Sequence, residues 1–331
     1  MLPQVHFRIS ERSEVGAARR AGLELAQAHG FDEIQAGKIG LCITEAATNI
    51  VKHAGSGSIV VRILQRSGVN GFEILALDRG PGIANLNVSL RDGVSSAGSP
   101  GNGLGAMTRA ADHFEIYAPA GNGTALLLEI WARPRAASEI EMGVICLPKS
   151  GESVSGDSWT VLTGTHRCAF MVADGLGHGP DAARASLAAI RVLERKPDAE
   201  PSQIIESCHR ALAPTRGAAV ACGRIDAEKG SFAGVGNIAC RVEYGETRRQ
   251  LVSHNGTLGH NVRRIQQFEF PLPRGALLIL HSDGLATHWN LADYPGLKAR
   301  HPGLIAGVLY RDHERGRDDV SVLVVRNGSE G

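Results

Sequence analysis

The feature that most constrains the fold of this chain is a break in its hydrophobic pattern near the middle. Residues 123–131 have the pattern of a strand, the next eight residues show no apolar period, and new strand patterns begin near Met142. A single hydrophobic core stops growing at roughly 250–300 residues, and this chain has 331. We therefore predict two domains, residues 1–133 and 140–328, joined by a linker at 134–139.

The composition excludes several classes of protein. Hydrophobic residues make up 43% of the chain, the formal net charge is +1, and no run of Lys and Arg exceeds two residues. This apolar content argues against disorder, and the balanced charge argues against a nucleic-acid partner. The apolar stretches are too short to span a bilayer, and the six scattered cysteines indicate reduced thiols. We expect a cytoplasmic protein with no nucleic-acid and no membrane partner.

The order of predicted elements gives the fold class. The first half reads as a strand, two helices, two strands, a glycine-rich stretch, a helix and two strands. This order predicts an α+β sandwich with helices on one face of a mixed sheet. The second half has many short strand patterns interrupted by two helical patterns, at 180–195 and 202–213. It predicts stacked sheets flanked by helices, so the whole chain is expected to be α+β.

Two segments of the first half carry polar side chains suited to a nucleotide pocket. Glu45, Asn49 and His53 recur at intervals of four on a predicted helix, and Asp78 ends a strand. An Asn oxygen suits Mg²⁺, a Glu can act as a base, and an Asp can accept hydrogen bonds from an adenine amino group. Each segment alone is also compatible with a solvated helix face or an ordinary turn.

Glycines and a threonine complete this predicted pocket. Glycines before a helix offer backbone N–H groups to phosphates, a turn after Asp78 lets the backbone close over a base, and a threonine hydroxyl can reach in from the last strand. These residues are Gly80, Gly82, Gly101, Gly103, Gly105 and Thr124.

In this order the segments resemble the GHKL ATPase family, especially its small serine-protein kinases and anti-sigma factors. Glu45-Ala-Ala-Thr-Asn-Ile-Val-Lys-His-Ala-Gly resembles the N box, while Asp78-Arg-Gly-Pro-Gly-Ile and Gly101-Asn-Gly-Leu-Gly resemble the two glycine boxes. The resemblance implies ATP with Mg²⁺ on Asn49, adenine on Asp78 and Glu45 as the catalytic base toward a protein hydroxyl. It also implies an ATP lid at 85–105 and a homodimer paired through the strand at 5–9.

In the second half, four aspartates each lie at the end of a predicted strand: Asp157, Asp174, Asp283 and Asp318. Carboxylate oxygens suit Mg²⁺ or Mn²⁺, and converging carboxylates without a cation would repel one another. Any single aspartate could simply cap a turn, but the recurrence favours a metal cage. His178 lies in a Gly-His-Gly turn beside this cage, and the turn does not aim it as a general acid.

These segments resemble the metal-dependent protein phosphatases of the 2C class, particularly the stage II sporulation and stressosome feedback phosphatases. The resemblance covers about residues 142–326 and implies an α/β/β/α sandwich that binds two Mn²⁺ or Mg²⁺ ions. It implies that Asp174 bridges the ions as the catalytic residue. Its other implied ligands are Asp157, the Gly175 carbonyl, Asp283 and Asp318, with Asp319 in support. We expect no arginine at the cage to bind phosphate.

Together the two resemblances predict a bifunctional bacterial signalling switch. The first domain would use ATP to phosphorylate a Ser or Thr of a STAS-type anti-sigma antagonist or a stressosome-type protein. The second domain would remove such a phosphate, and a sigma factor is a further candidate partner. One alternative is a nucleotide-sensing anti-sigma module that gates the phosphatase without kinase activity. The other is a second domain that binds phosphoprotein without hydrolysing it.

Overall fold

The computed structural model describes residues 4–86, 103–134, 140–164 and 167–328. The chain divides after Ala137 into two compact units, with the short segment Pro295–Arg300 grouped with the first. Each unit has a hydrophobic core of its own, and the helices and sheets in both confirm the predicted α+β class. Residues 135–139 of the predicted linker lie outside the described residues. Within the described part of the chain, no helix combines the length and apolarity that a membrane crossing requires.

The first unit contains a five-stranded sheet in the order β1-β2-β3-β5-β4. The strands are β1 (Gln4–Ile9), β2 (Gly57–Arg66), β3 (Val69–Asp78), β4 (His113–Tyr117) and β5 (Thr124–Trp131). All of its pairings are antiparallel, so the prediction of a mixed sheet was wrong. After β3 the chain returns to the sheet at the edge strand β4 and then turns back as β5. Strand β5 lies between β3 and β4 and is antiparallel to both.

Three described helices pack on one face of this sheet: α1 (Arg12–Ala28), α2 (Glu33–Asn49) and α3 (Gly103–Ala110). Asp32 and Gln35 begin α2 with a capping box, in which each side chain accepts a hydrogen bond from the other residue's backbone N–H. Ile39 and Ile43 point into the core. The α-helix ends at Asn49 and continues as a π-helical turn, Ile50–Ala54, so the predicted spacing of four does not extend to His53.

The second unit consists of two five-stranded antiparallel sheets, ordered β15-β10-β9-β8-β7 and β12-β11-β16-β17-β6, with a small β13-β14 hairpin. The strands are β6 (Ile140–Leu147), β7 (Asp157–Gly164), β8 (Arg167–Gly175), β9 (Ala218–Asp226), β10 (Lys229–Val235), β11 (Ala239–Tyr244), β12 (Thr247–Leu251), β13 (Gly256–Thr257), β14 (Asn261–Val262), β15 (Gln267–Pro271), β16 (Leu277–His281) and β17 (Val320–Asn327). Apolar side chains from both sheets share one core.

Helices cover the outer faces of both sheets, which confirms the predicted α/β/β/α sandwich. The helices are α4 (Pro180–Arg195), α5 (Pro201–Leu212) and α6 (Pro302–His313), and a short 3₁₀ turn spans Leu291–Asp293. A second 3₁₀ turn, Leu297–Ala299, belongs to the segment that is grouped with the first unit. Helix α4 packs on β7 and β8, α5 packs on β9 and β10, and α6 packs on β6 and β17. The last contact is very close, because a Cβ on Gly143 would overlap the backbone of Gly303.

We predict that Gly143→Ala destabilises the second unit by about 3 kcal/mol, because the added methyl forces α6 away from β6. Gly164→Ala, also at a strand glycine, is the matched control, since its nearest atom is 4.0 Å from the added Cβ. Its effect should stay within about 0.5 kcal/mol. Hydrogen exchange of peptides from β6 and α6 in rising urea measures both changes. Equal effects of the two substitutions would contradict the close packing.

Candidate nucleotide pocket and acidic centre

In the first unit, Asp78 is held in a fixed orientation at the end of β3. Its Oδ1 accepts hydrogen bonds from the backbone N–H of Gly80 at 2.8 Å and of Thr124 at 3.1 Å. Thr124 lies directly opposite Asp78 in the β3–β5 register. The structure therefore brings these three predicted pocket residues together at one end of the sheet.

The turn after Asp78 is joined to the loop between β4 and β5. Ile83 N donates to Ala118 O at 3.1 Å, and Gly121 N donates to Pro81 O at 2.8 Å. Gly82 lies between them with a φ of +69°, and a Cβ there would overlap the carbonyl oxygen of Pro119. Only glycine fits this position, because both the left-handed backbone and the close approach exclude a side chain.

Glu45 and Asn49 lie beside the described start of α3. A Cβ on Gly103 would stand 2.6 Å from Glu45 Oε2 and 4.0 Å from Asn49 Nδ2. The candidate base and the candidate Mg²⁺ ligand thus meet the second glycine segment, as the nucleotide-pocket hypothesis requires. His53 is exposed in the π-helical turn, and Gly105 is buried within α3. Gly101 lies outside the described residues, as do residues 87–102 of the predicted lid.

In the second unit, the four predicted aspartates lie at strand ends and form what we call the acidic centre. Asp157 and Asp174 face each other across β7 and β8, while Asp283 follows β16 by two residues and Asp318 precedes β17 by two. Burial raises the pKa of the Asp157 carboxyl. Burial, followed by the negative charges of Asp157, Asp283 and Asp318, raises the pKa of Asp174 well above its usual range.

The buried carboxylate of Asp319 accepts hydrogen bonds from two backbone N–H groups of a segment beside this centre. Its Oδ1 accepts a hydrogen bond from Lys149 N at 2.8 Å, and its Oδ2 accepts one from Gly156 N at 2.9 Å. Both partners belong to the segment between β6 and β7. Asp319 therefore fixes the approach to Asp157, which begins β7.

The residues of the acidic centre suit a hard divalent cation. No three His, Cys, Asp or Glu side chains in the described ranges already form a closed ligand set. Asp283 Oδ2 instead accepts a hydrogen bond from Asn237 at 2.6 Å, and Asp318 Oδ1 accepts one from Asp319 N at 2.9 Å. Oδ2 of buried Asp157 has no hydrogen-bond partner among the residues that the structure describes. An unpaired buried carboxylate oxygen among further carboxylates is a donor set for Mg²⁺ or Mn²⁺.

Comparison with known families assigns both units. Residues 10–130 match the histidine kinase-like ATPase domain family, and residues 164–327 match the stage II sporulation protein E family. The chain is 35% identical to the serine/threonine-protein kinase RsbT of Bacillus subtilis (strain 168) over 133 residues, which are 40% of this chain and 100% of that protein. It is 30% identical to the phosphoserine phosphatase RsbX of the same strain over 150 residues, 44% of this chain and 75% of that protein.

The chain belongs to both families. It is a fusion of an RsbT-like kinase domain and a phosphatase 2C-like domain, and both predicted resemblances are confirmed. One similar solved structure is described as "The bacterial stressosome: a modular system that has been adapted to control secondary messenger signaling". Its match spans 57% of this chain and 100% of the solved chain, at 30% identity and a TM-score of 0.53. RsbX in complex with magnesium covers 58% of this chain and 97% of that one, at 24% identity and a TM-score of 0.50, which shows a shared fold.

Two arginines lie at the candidate site of the phosphatase-like domain, so the expectation that no arginine stands at the cage was wrong. Arg315 and Arg317 line one cavity with Asp283 and Asp318. The signal in the sequence was Arg-Gly-Arg directly before Asp318, but its position beside Asp283 depends on pairing between distant segments. A second missed residue is Glu152, whose Oε1 lies 2.6 Å from His178 Nδ1. His178 is therefore engaged with Glu152.

We predict that Gly82→Ala weakens ATP binding to the kinase-like domain by more than about tenfold, because the added methyl separates the Asp78 turn from the Pro119 loop. Gly121→Ala is the matched control. Gly121 has a similar φ of +81°, but an added Cβ would meet nothing within 4 Å. It should therefore cost about 1 kcal/mol of stability and leave binding nearly unchanged. Titration with a fluorescent ATP analogue measures the affinities, and similar affinities for the two variants would refute the steric explanation.

Proposed function

We propose that this chain is a bifunctional signalling switch that adds and removes phosphate on the same class of protein. The observation that carries the proposal is that both candidate sites retain their chemical groups within one chain. Glu45 and Asn49 meet Gly103 in the kinase-like domain, and four aspartates lie at strand ends in the phosphatase-like domain. The relatives are named as a serine/threonine kinase and a phosphoserine phosphatase, which supports opposite reactions on serine.

In the proposed kinase reaction, Glu45 accepts the proton of a Ser or Thr hydroxyl on the partner. The hydroxyl oxygen forms a bond to the γ-phosphorus, and the bond from that phosphorus to ADP breaks. Asn49 would hold the Mg²⁺ that accompanies ATP, and Asp78 would accept hydrogen bonds from adenine. Gly103 and Gly105 would present backbone to the phosphates.

In the proposed phosphatase reaction, Asp157, Asp174 and the Gly175 carbonyl would hold one Mn²⁺ or Mg²⁺ ion, and Asp283 and Asp318 would hold a second with Asp174 shared. Bound ions supply an acidified water and neutralise charge on the phosphoryl oxygens. Asp319 keeps the loop before β7 in place through its two backbone hydrogen bonds. This loop leads directly into Asp157, one of the proposed ligands.

We further propose that the partner is a STAS-type anti-sigma antagonist or a related stressosome-type protein, and that a sigma factor is a second partner of the kinase-like domain. The similarity to RsbT and to a stressosome structure supports this class of partner. Strand β1 is an edge of its sheet, which is compatible with pairing between two copies. We place the reaction in the cytoplasm, where ATP is available.

A nucleotide-sensing module without kinase activity is the alternative for the first domain. Nucleotide binding alone requires Asn49 and Asp78, but it does not require a base. Glu45 lies beside Asn49 at the start of α3, and this position favours phosphoryl transfer.

The proposal predicts a cross-over of activities in two variants of the full chain. Asn49→Ala should lower transfer of radiolabel from ATP to a STAS-domain protein by more than about 100-fold and leave phosphoserine hydrolysis intact. Asp174→Ala should do the reverse, because it removes the shared carboxylate. Label transfer and Mn²⁺-dependent release of phosphate from a phosphoserine protein are measured on both variants.

Each variant serves as the folding control for the other, since its second activity must survive. Retention of both activities by both variants would refute the site assignment. Tight ATP binding by the unmodified chain, without label on any STAS-domain protein, would instead support the nucleotide-sensing alternative.

A further inference from the structure

We propose that Arg315 and Arg317 bind the phosphoryl oxygens of the phosphatase substrate. This inference rests on the proposed phosphatase function and assigns it the phosphate-binding groups. The two arginines share one cavity with Asp283 and Asp318. They flank Gly316, and we call these three residues the arginine turn.

The backbone holds the arginine turn beside the acidic centre. The segment after β16 and the segment after α6 meet in an antiparallel bridge between Leu285 and Glu314. Arg315 N donates a hydrogen bond to Gly284 O at 2.9 Å. The backbone of Arg315 is therefore bonded to the residue that directly follows Asp283. A bond from Ala286 N to His313 O, also 2.9 Å, closes the other side of the bridge.

The turn itself requires glycine between the two arginines. Gly316 has a φ of +66°, in the left-handed region that residues with a Cβ seldom adopt. At the far end, Asp318 Oδ1 accepts a hydrogen bond from Asp319 N at 2.9 Å. The hydrogen bond of Arg315 N therefore fixes one end of the turn to the segment after β16, and both arginines line the cavity.

Both guanidinium groups remain available to a ligand. Among the residues that the structure describes, neither forms an ion pair or a side-chain hydrogen bond, and both side chains are exposed. Arg184 and Arg216, by contrast, are both paired with Asp181, at 2.9 and 3.0 Å. Arginines that served only to neutralise the aspartates would be paired with them.

A phosphate monoester fits this combination of charges. It carries up to two negative charges on oxygens that a guanidinium contacts through two parallel N–H donors. Once the aspartates bind cations, the two arginines that line the same cavity are positive side chains that can contact the dianion. The arginines would thus contact the phosphate of the substrate. They would affect substrate binding rather than the activation of the attacking water.

The test compares Arg315→Gln and Arg317→Gln with Arg167→Gln as the matched control. Arg167 is an exposed arginine at the other end of β8 from Asp174, about 23 Å away at the rise of a strand. Calorimetry measures Mn²⁺ binding, and then inorganic phosphate binding to the Mn²⁺-treated protein. Steady-state kinetics use p-nitrophenyl phosphate and a phosphoserine peptide.

We expect each arginine variant to bind inorganic phosphate about tenfold more weakly and to raise KM for both substrates by a similar factor. Mn²⁺ binding should not change, and Arg167→Gln should behave as the unmodified chain. Phosphate affinity within twofold of the unmodified chain in both variants would overturn the proposal. A loss confined to the peptide would also overturn it, because the arginines would then contact polypeptide.

The two failures can be told apart. If the unmodified chain hydrolyses neither substrate with Mn²⁺ or Mg²⁺, the proposed phosphatase function fails. The phosphate-binding measurement still decides the role of the arginines in that case, since it requires no turnover.

Discussion

The phosphatase-like domain depends on holding carboxylates of like charge together in a partly buried place. Burial and mutual repulsion raise the pKa values of Asp157 and Asp174, so the arrangement opposes its own ionisation. Strand pairing overcomes this repulsion, because Asp157 and Asp174 are opposite each other in the β7–β8 register. Asp319 adds two backbone hydrogen bonds from the preceding loop. The fold thus holds close together carboxylates that would otherwise repel one another, which is the arrangement that the proposed cation site requires.

The kinase-like domain depends on the close approach of two backbone segments rather than on clustered charges. A nucleotide pocket needs loops that approach one another closely, and Gly82 allows the Asp78 turn to pass Pro119 without overlap. Backbone bonds between the two loops then keep Asp78 in its orientation. In both domains a carboxylate beside the candidate site is held by hydrogen bonds from backbone N–H groups, Asp78 in the first domain and Asp319 in the second.

Local chemistry explains how much of this could be predicted from sequence. Three features could be predicted because each is a short local pattern in the sequence. They are the N box around Asn49, the glycine turn after Asp78 and the aspartates at strand ends. The antiparallel pairing of β5 with β3 depends on where a distant strand enters the sheet, and the prediction of a mixed sheet failed there. Arg315 was missed for the same reason, since the Leu285–Glu314 bridge that places it joins two separate segments.

The central claim is that the acidic centre is a site for two divalent cations, and calorimetric titration of the full chain with Mn²⁺ tests it most directly. In the absence of nucleotide, the account predicts two ions bound per chain, and loss of both in Asp174→Asn because that carboxylate is shared. The Asp226→Asn variant, at the opposite end of the β8–β9 pair, should still bind two. No Mn²⁺ binding by the unmodified chain, or unchanged binding in Asp174→Asn, would contradict the account.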